Sequence, residues 1–470
     1  MFQRNILADR DVEKLGEGIF EVLEKVGVLC QNKELLEILE IKGAKVDYQK
    51  EVFRLPRKMT KEYLGIFRKE SIKGNENGFR KFSPPFLPVL GTQVAQFFYD
   101  YEKKEKHSGN KKDFINLIKF GDVLHQEDGV GHCLLLTEVP PILEPLESSL
   151  ILAEYAHKPG ACFAWNVNQI DYLIEMGEIL GIKDWFDWGA ICFAHPFRFD
   201  KDVADKFVRR VKLGYPTGLT SMAVAGATAP VTIEGYIVVA SAEHIATWIS
   251  ARAINPKVEL CGSMWGGTVD MKTGAVSYSS FDSMIYAYAT VEFLRRWCGI
   301  NVSVGGGEYC NAKLPGLYAV LEKAYKSMII AIFSGSHPVI GQGMLECGKT
   351  ICPEQFLLER EFGQGIAFLA KEIKPTDENI GLENIFEIGC GIKKNYLECE
   401  HTLKHFRSSL WNPVLFDRSG WNGFEWEKSI MDKTHQKVKE IISQYKKPEV
   451  DPGKLEKMKK VLEKAKKNLR

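Results

Sequence analysis

The sequence predicts an α/β protein organised as a (β/α)8 barrel of the TIM type. A helical cap is expected over 1–85, the barrel core over 86–375 and a helical extension over 376–470. Three observations predict this. From about residue 130, apolar β-branched runs alternate with helix-length amphipathic segments. The runs are continuous rather than alternating, as in a parallel sheet covered on both faces. No G-x-G-x-x-G follows the first strand, so a doubly wound dinucleotide-binding sheet lacks its signature.

Taken in order, Val12, Leu15, Ile19, Val22, Leu23 and Val26 share one face of a helix that ends near Gly27. A second helix is expected over 33–42. Residues 44–55 alternate as a short hairpin ahead of a helix starting at Pro56. The Gly, Asn and Pro of 73–85 mark a linker, and 88–106 suits a second hairpin. Barrel strands are expected at 131–137, 161–166, 190–195, 218–224, 258–264, 301–305 and 337–341. Helices should fill 143–157, 169–181, 201–212, 233–253, 279–298 and 315–334. The eighth strand lies either in 347–357 or before 130. Beyond Gln355 the chain reads as helical to about 372, followed by tail helices. In the last of these, Leu455, Met458, Val461, Leu462 and Ala465 form an apolar stripe.

Composition excludes several classes. Lys plus Arg number 62 against 61 Asp plus Glu, so no basic face for a nucleic acid is expected. The 11 cysteines include no C-x-x-C pair, which disfavours zinc ribbons and thioredoxin-type sites. Cys133, Cys162, Cys192 and Cys261 lie in apolar runs, where a reduced thiol packs as a small hydrophobe. An odd count in a core-rich chain points to a reducing cytoplasm. The first ten residues contain no signal-type apolar region, and stretches such as 328–333 are far too short to span a bilayer.

In a parallel barrel, chemistry sits at the carboxyl ends of the strands. The residues expected there include Glu138, Trp165, Asn166, His195, Phe197 and Met222, then Trp265, Asp270, Glu308, Tyr309, Gln342 and Glu346. Aromatic faces attract quaternary ammonium, so Trp165, Trp265 and Tyr309 are candidate cage residues. The two tryptophans equally suit a purely structural role, closing the barrel top. His195 and His337 border strands and suit a base, a carboxylate binder or a satisfied core residue. No H-x-H or H-E-x-x-H occurs, and no metal site is expected.

The stretch 343–350 matches G-x-x-x-x-G-K-[ST], the phosphate-loop pattern. Pro353 follows three residues later, and Met344 and Leu345 add little backbone freedom. Nucleotide binding is therefore not expected.

Five segments carry a family resemblance. They are Gly226-Ala-Thr-Ala-Pro-Val-Thr232 with Ala242-Glu-His244, Asp270-Met-Lys-Thr-Gly274, Asn311-Ala-Lys313, and Trp411-Asn-Pro-Val-Leu-Phe-Asp-Arg418. In this order the chain resembles the trimethylamine methyltransferase superfamily. It is similar to the members without pyrrolysine that act on quaternary amines such as glycine betaine. Asn311 and Ser279-Ser-Phe-Asp282 depart from the family pattern. The resemblance implies a barrel that moves a methyl group from an amine to the cobalt of a separate small corrinoid protein. No tightly bound cofactor is expected in this chain itself. Corrinoid carriers use Asp-x-His-x-x-Gly, and none of the ten histidines has Asp two positions before it.

A quaternary nitrogen leaves as a neutral amine, so displacement by cobalt(I) needs no acid, base or metal from the chain. Desolvation and alignment are the enzyme's work. Lys313, Gln342 and His337 are then candidates to hold a carboxylate or hydroxyl tail. Glu308 and Asp270 are candidates to balance the ammonium charge. A corrinoid-independent lyase or hydrolase using Glu308 and His337 as acid and base remains an alternative. So does a non-catalytic amine-binding barrel. A homo-oligomer is compatible with the apolar N-terminal helices and tail stripe.

Overall fold

The computed structural model describes residues 6–74, 87–334, 340–369, 371–390, 395–416, 418, 420, 421, 423 and 426–469. The architecture is mixed α/β. It begins with α1 (Asp9–Lys25), β1 (Val28–Cys30), α2 (Lys33–Ile41), β2 (Lys45–Asp47), β3 (Val52–Arg54) and α3 (Arg57–Gly74). The apolar face of α1 buries Leu15, Ile19 and Leu23, whereas Val26, expected on that face, is exposed. The expected hairpin forms from β2 and β3. β1 pairs antiparallel with β3 and parallel with β6 (Arg198–Phe199), which ties this N-terminal layer to the core.

The second hairpin is β4 (Phe97–Asp100) with β5 (Glu105–Ser108). There follow α4 (Lys111–Leu124), α5 (Glu144–Tyr155), α6 (Ile170–Leu180) and α7 (Lys201–Lys212). Their limits follow ordinary helix chemistry. The Asn110 side chain caps α4 by accepting from the Asp113 N–H, and α6 stops at left-handed Gly181. α7 opens with Asp202 and closes with Arg209, Arg210 and Lys212, as its dipole favours.

The centre consists of β7 (Thr217–Ser221), β8 (Val224–Ala225), α8 (Ile233–Ile254), β9 (Leu260–Met264), β10 (Gly267–Val269), β11 (Val276–Ser277), α9 (Phe281–Cys298), β12 (Ser303–Val304) and α10 (Leu317–Ser334). β7 and β9 run parallel, with Thr217 opposite Leu260 through Ser221 opposite Met264. β12 continues this sheet on the far side of β9. Buried α8 is the common support, packed against α1, α9 and β7. Thr232, the last residue of the Gly226–Thr232 motif, caps it through the Gly235 N–H.

Next come β13 (Met344–Leu345), β14 (Thr350–Ile351) and α11 (Pro353–Phe368). The phosphate-loop pattern is therefore a β-hairpin, β13 with β14. Pro353 does not break a helix; it occupies the start of α11, where its missing N–H costs nothing. The tail contains α12 (Asp377–Ile380), α13 (Leu382–Ile388), α14 (Glu400–Ser409), α15 (Trp426–Ser443) and α16 (Pro452–Asn468). α15 packs on α4 and α11. The stripe of α16 buries Met458, Val461, Leu462 and Ala465 against α5 and α6.

A closed ring of eight strands is not seen among the described residues. The segments expected as strands at 131–137, 161–166 and 190–195 make isolated bridges and single hydrogen bonds instead of ladders. They nevertheless lie side by side in chain order. Leu135 N–H donates to Ala95 O, His132 N–H to Ala161 O, Ala164 N–H to Asp187 O and Thr220 N–H to Ile191 O. The parallel pairing of β14 with β4 adjoins the other end of this series. The strand expected at 337–341 falls largely outside the described residues.

A Cβ at Gly218 would run into the Cys261 carbonyl, so β7 and β9 approach this closely only with glycine there. Gly218→Ala is expected to lower unfolding free energy by about 2–4 kcal/mol in urea titrations. Gly65→Ala, in α3 with open space around it, should be neutral or slightly stabilising. Equal effects of the two substitutions would contradict this account of the β7–β9 contact.

Candidate active site

Alternation along β7 and β9 creates the site. Met264 is buried in the helix-packed core, and Gly262 faces the His244 ring on α8. Gly218, Thr220, Cys261 and Ser263 face the other way, with the Ser263 hydroxyl donating to Thr220 Oγ1 at 3.3 Å. These inward residues are small, so a cavity of about 540 Å³ remains between the strands. Its walls also include Gln93, Phe163, Trp165, Met222, Trp265 and Tyr309.

The aromatic end is tightly fixed. Trp265 meets Tyr309 edge to face, with centroids 4.6 Å apart, and Tyr278 approaches Tyr309 at 6.4 Å. A Cβ at Gly305 would strike the Trp265 indole, and one at Gly348 would strike the Tyr309 ring. Glycine on both sides therefore lets this pair lie where it does. Opposite, Phe163 stacks on Trp165 at 5.7 Å and 16°. Trp165 is 40% exposed, which leaves this end open to solvent.

Two buried carboxylates position these walls. Glu144 accepts from the Trp165 indole N–H at 3.2 Å, the Ser148 hydroxyl at 2.9 Å and the Leu136 N–H at 3.2 Å. His132 Nε2 lies 2.9 Å from the same carboxylate. Burial pushes the Glu144 carboxyl up, but His132 and the donated hydrogen bonds outweigh it and hold it below its ordinary value. Glu243, on α8, lies 2.8 Å from His195 Nδ1 and accepts from the Phe197 N–H. His195 Nε2 accepts from the Met222 N–H at 3.1 Å, which puts the ring proton on Nδ1. The Met222 carbonyl in turn accepts from Tyr278. Glu243 thus steadies the cavity wall through His195. Adjacent His244 is fully buried, and burial pushes it down to about 3, so it stays neutral.

The expected site residues divide accordingly. Trp165, Trp265 and Tyr309 share the cavity. Glu308 stands behind it, accepting from Gln93 Nε2 at 3.1 Å, and burial raises its carboxyl. Asp270 does not reach the cavity; it is exposed, and its carboxylate closes a turn by accepting from the Lys272 N–H. Lys313 is exposed in the loop before α10, lining a separate groove with Leu314 and Tyr318. Gln342 is buried in left-handed backbone and is not among the cavity walls. His337 lies outside the described residues. Phe163, Gln93 and Arg210 line the cavity without having been singled out in the sequence. Phe163 was accessible by alternation, two residues before Trp165, whereas Arg210, on α7, had no such signal.

The chain matches the family model described as trimethylamine methyltransferase (MTTB) over residues 2–470. The chain belongs to the trimethylamine methyltransferase family. Within this methyltransferase family, it is 22% identical to glycine betaine methyltransferase of Desulfitobacterium hafniense (strain Y51), covering 95% of this chain and 94% of the relative. It is 22% identical to trimethylamine methyltransferase MttB of Desulfitobacterium hafniense (strain DSM 10664 / DCB-2), covering 95% and 91%. It is 26% identical to MttB of Methanosarcina barkeri (strain Fusaro / DSM 804), covering 99% and 96%. As expected of non-pyrrolysine members of the family, ordinary residues run throughout this chain. No helix among the described residues is long and apolar enough to cross a membrane.

Lys326 is buried and donates to the Tyr278 carbonyl at 2.6 Å. Burial pushes its ammonium down to about 8 from 10.5. Between these values the unfolded chain binds more protons than the folded one, so this lysine's contribution to stability rises with pH. The stability difference between the wild type and Lys326→Met should therefore shift toward the wild type from pH 8 to 10, read by urea unfolding. A pH-independent difference would contradict the burial assigned to Lys326.

Proposed function

We propose that this family member transfers a methyl group from a betaine-like quaternary amine to the cobalt(I) of a corrinoid carried by a small partner protein. We further propose that the side-by-side segments around the cavity form a (β/α)8 barrel whose open end is the site. The supporting observation is the aromatic end of the cavity. Trp265 and Tyr309 line it together with the Phe163–Trp165 stack, in a pocket of about 540 Å³.

Such walls exchange the hydration of a fixed cation for aromatic faces, each contact contributing about 0.5–2 kcal/mol. The rim suits a broad, largely apolar macrocycle. Trp165 is 40% exposed there. When bound, a corrinoid in its cobalt(I) state supplies the nucleophile.

The chain's own residues bind and align the substrate. Trp265 and Tyr309 hold the trimethylammonium group, and Phe163 and Trp165 exclude water from the N–CH3 bond. The C–N bond breaks with its electron pair remaining on nitrogen, which leaves as a neutral tertiary amine. No proton moves at the reacting atoms, so Glu308 is assigned charge balance behind Gln93. Its position, rather than direct substrate contact, argues against an acid–base role. The soluble setting we infer is cytoplasmic, as cobalt(I) needs a reducing compartment.

Cobalt(I) cobalamin, followed by its visible spectrum, provides the test with glycine betaine, carnitine, choline, proline betaine and trimethylamine. Methyl transfer is expected from at least one quaternary amine and not from trimethylamine. Trp265→Ala should reduce kcat/KM by about tenfold or more. Turnover of an amine without any corrinoid would favour a lyase or hydrolase. Binding without transfer to several carriers would favour a non-catalytic role.

A further inference from the structure

The charged side chains among the cavity walls are Arg210 and Asp187, the latter bridged through its backbone to Phe163. This arginine projects from the last turn of α7 toward Gly218 and Cys261, near the start of β7 and β9. It makes no hydrogen bond or ion pair with any described residue, and its Nε is buried without a partner. Lys206 lies one turn earlier on the same helix, almost fully buried, and donates to the Ala164 carbonyl at 3.2 Å. Asp187, the acidic side chain among the cavity walls, accepts from the Gly189 N–H at 2.6 Å. Asp187 is the carboxylate whose charge bears on both cations.

Arg210 is half-buried with its Nε buried and unpartnered, and a carboxylate would offer this guanidinium a bidentate match. Burial pushes both Arg210 and Lys206 below their ordinary values, Lys206 to about 8, with Asp187 partly offsetting it in each case. The rest of the wall between the two ends is small and weakly polar: Gly218, Thr220, Cys261 and Ser263.

We propose that Arg210 is a specificity-determining residue that anchors the carboxylate of a zwitterionic substrate whose trimethylammonium group sits at Trp265 and Tyr309. This rests on the quaternary-amine reading above and extends it to substrate length. Cys261, beside Arg210, and Trp265 are four residues apart on one strand, about 13 Å of backbone. Side chains close part of that distance. The remainder fits an ammonium and a carboxylate separated by several methylene groups better than the single methylene of glycine betaine.

Calorimetry on the full-length wild type and Arg210→Gln tests this with four probes. These are 4-(trimethylammonio)butanoate, glycine betaine, choline, and 5,5-dimethylhexanoate, which replaces the ammonium nitrogen by carbon. The wild type should prefer 4-(trimethylammonio)butanoate to both glycine betaine and choline. In Arg210→Gln the preference over choline should fall by about tenfold or more. Arg210→Lys should retain part of it, and Arg210→Met substitutes if the glutamine variant does not fold. An unchanged preference overturns the role of Arg210 while leaving the ammonium cage intact. If no ammonium compound binds but 5,5-dimethylhexanoate binds in an Arg210-dependent way, the carboxylate anchor stands and the cage fails. Absence of binding by all four probes overturns both.

Discussion

The contact between Trp265 and Tyr309 is the constraint on which the site depends. Two large rings occupy the end of a narrow space because Gly305 and Gly348 have no side chains to exclude them. Any side chain at either glycine forces the rings into the cavity or out of it. The cavity behind them persists for the complementary reason that the residues β7 and β9 present to it are mostly small. A substrate-sized hollow is thus made by two local features, missing side chains around the rings and short ones along the strands.

Rigid walls matter because the proposed chemistry gives the protein little else to do. A permanently charged nitrogen needs neither protonation nor metal activation to leave. Rate enhancement must then come from taking water away and fixing one N–CH3 bond in line with the nucleophile. That explains why buried polar groups here serve aromatic geometry. Glu144 holds the Trp165 indole, and Glu243 holds His195, which holds the strand end beside Tyr278. These carboxylates are expensive to bury, and the several hydrogen bonds they accept are what make them tolerable.

Much of this was legible in the sequence, and the failures have physical causes. α7 was read over the residues it occupies, and α5, α6 and α8 nearly so, because amphipathic spacing and end charges mark helices locally. Strands were harder. Residues 131–137 and 190–195 have the composition of buried strands, but their backbone groups make too few regular pairings to form ladders. Aromatic residues at strand ends drew attention to Trp165, Trp265 and Tyr309, which line the cavity. Asp270 was misleading because an Asp three or four residues before glycine is also turn chemistry, which is how it is used. Arg210 was invisible because it reaches the cavity from a helix, and no spacing rule connects that helix to the opposite wall. His244 is a buried neutral ring in the core, and Glu243 reaches the cavity only through His195.

The central claim is that this cavity selects positive charge rather than mere bulk. Choline and 3,3-dimethylbutan-1-ol have nearly the same shape, but only choline carries the cation. Their affinities for the wild-type protein, measured side by side by calorimetry, test the claim most directly. The account predicts that choline binds at least about tenfold more tightly. Equal affinities, or tighter binding of the neutral alcohol, would contradict it.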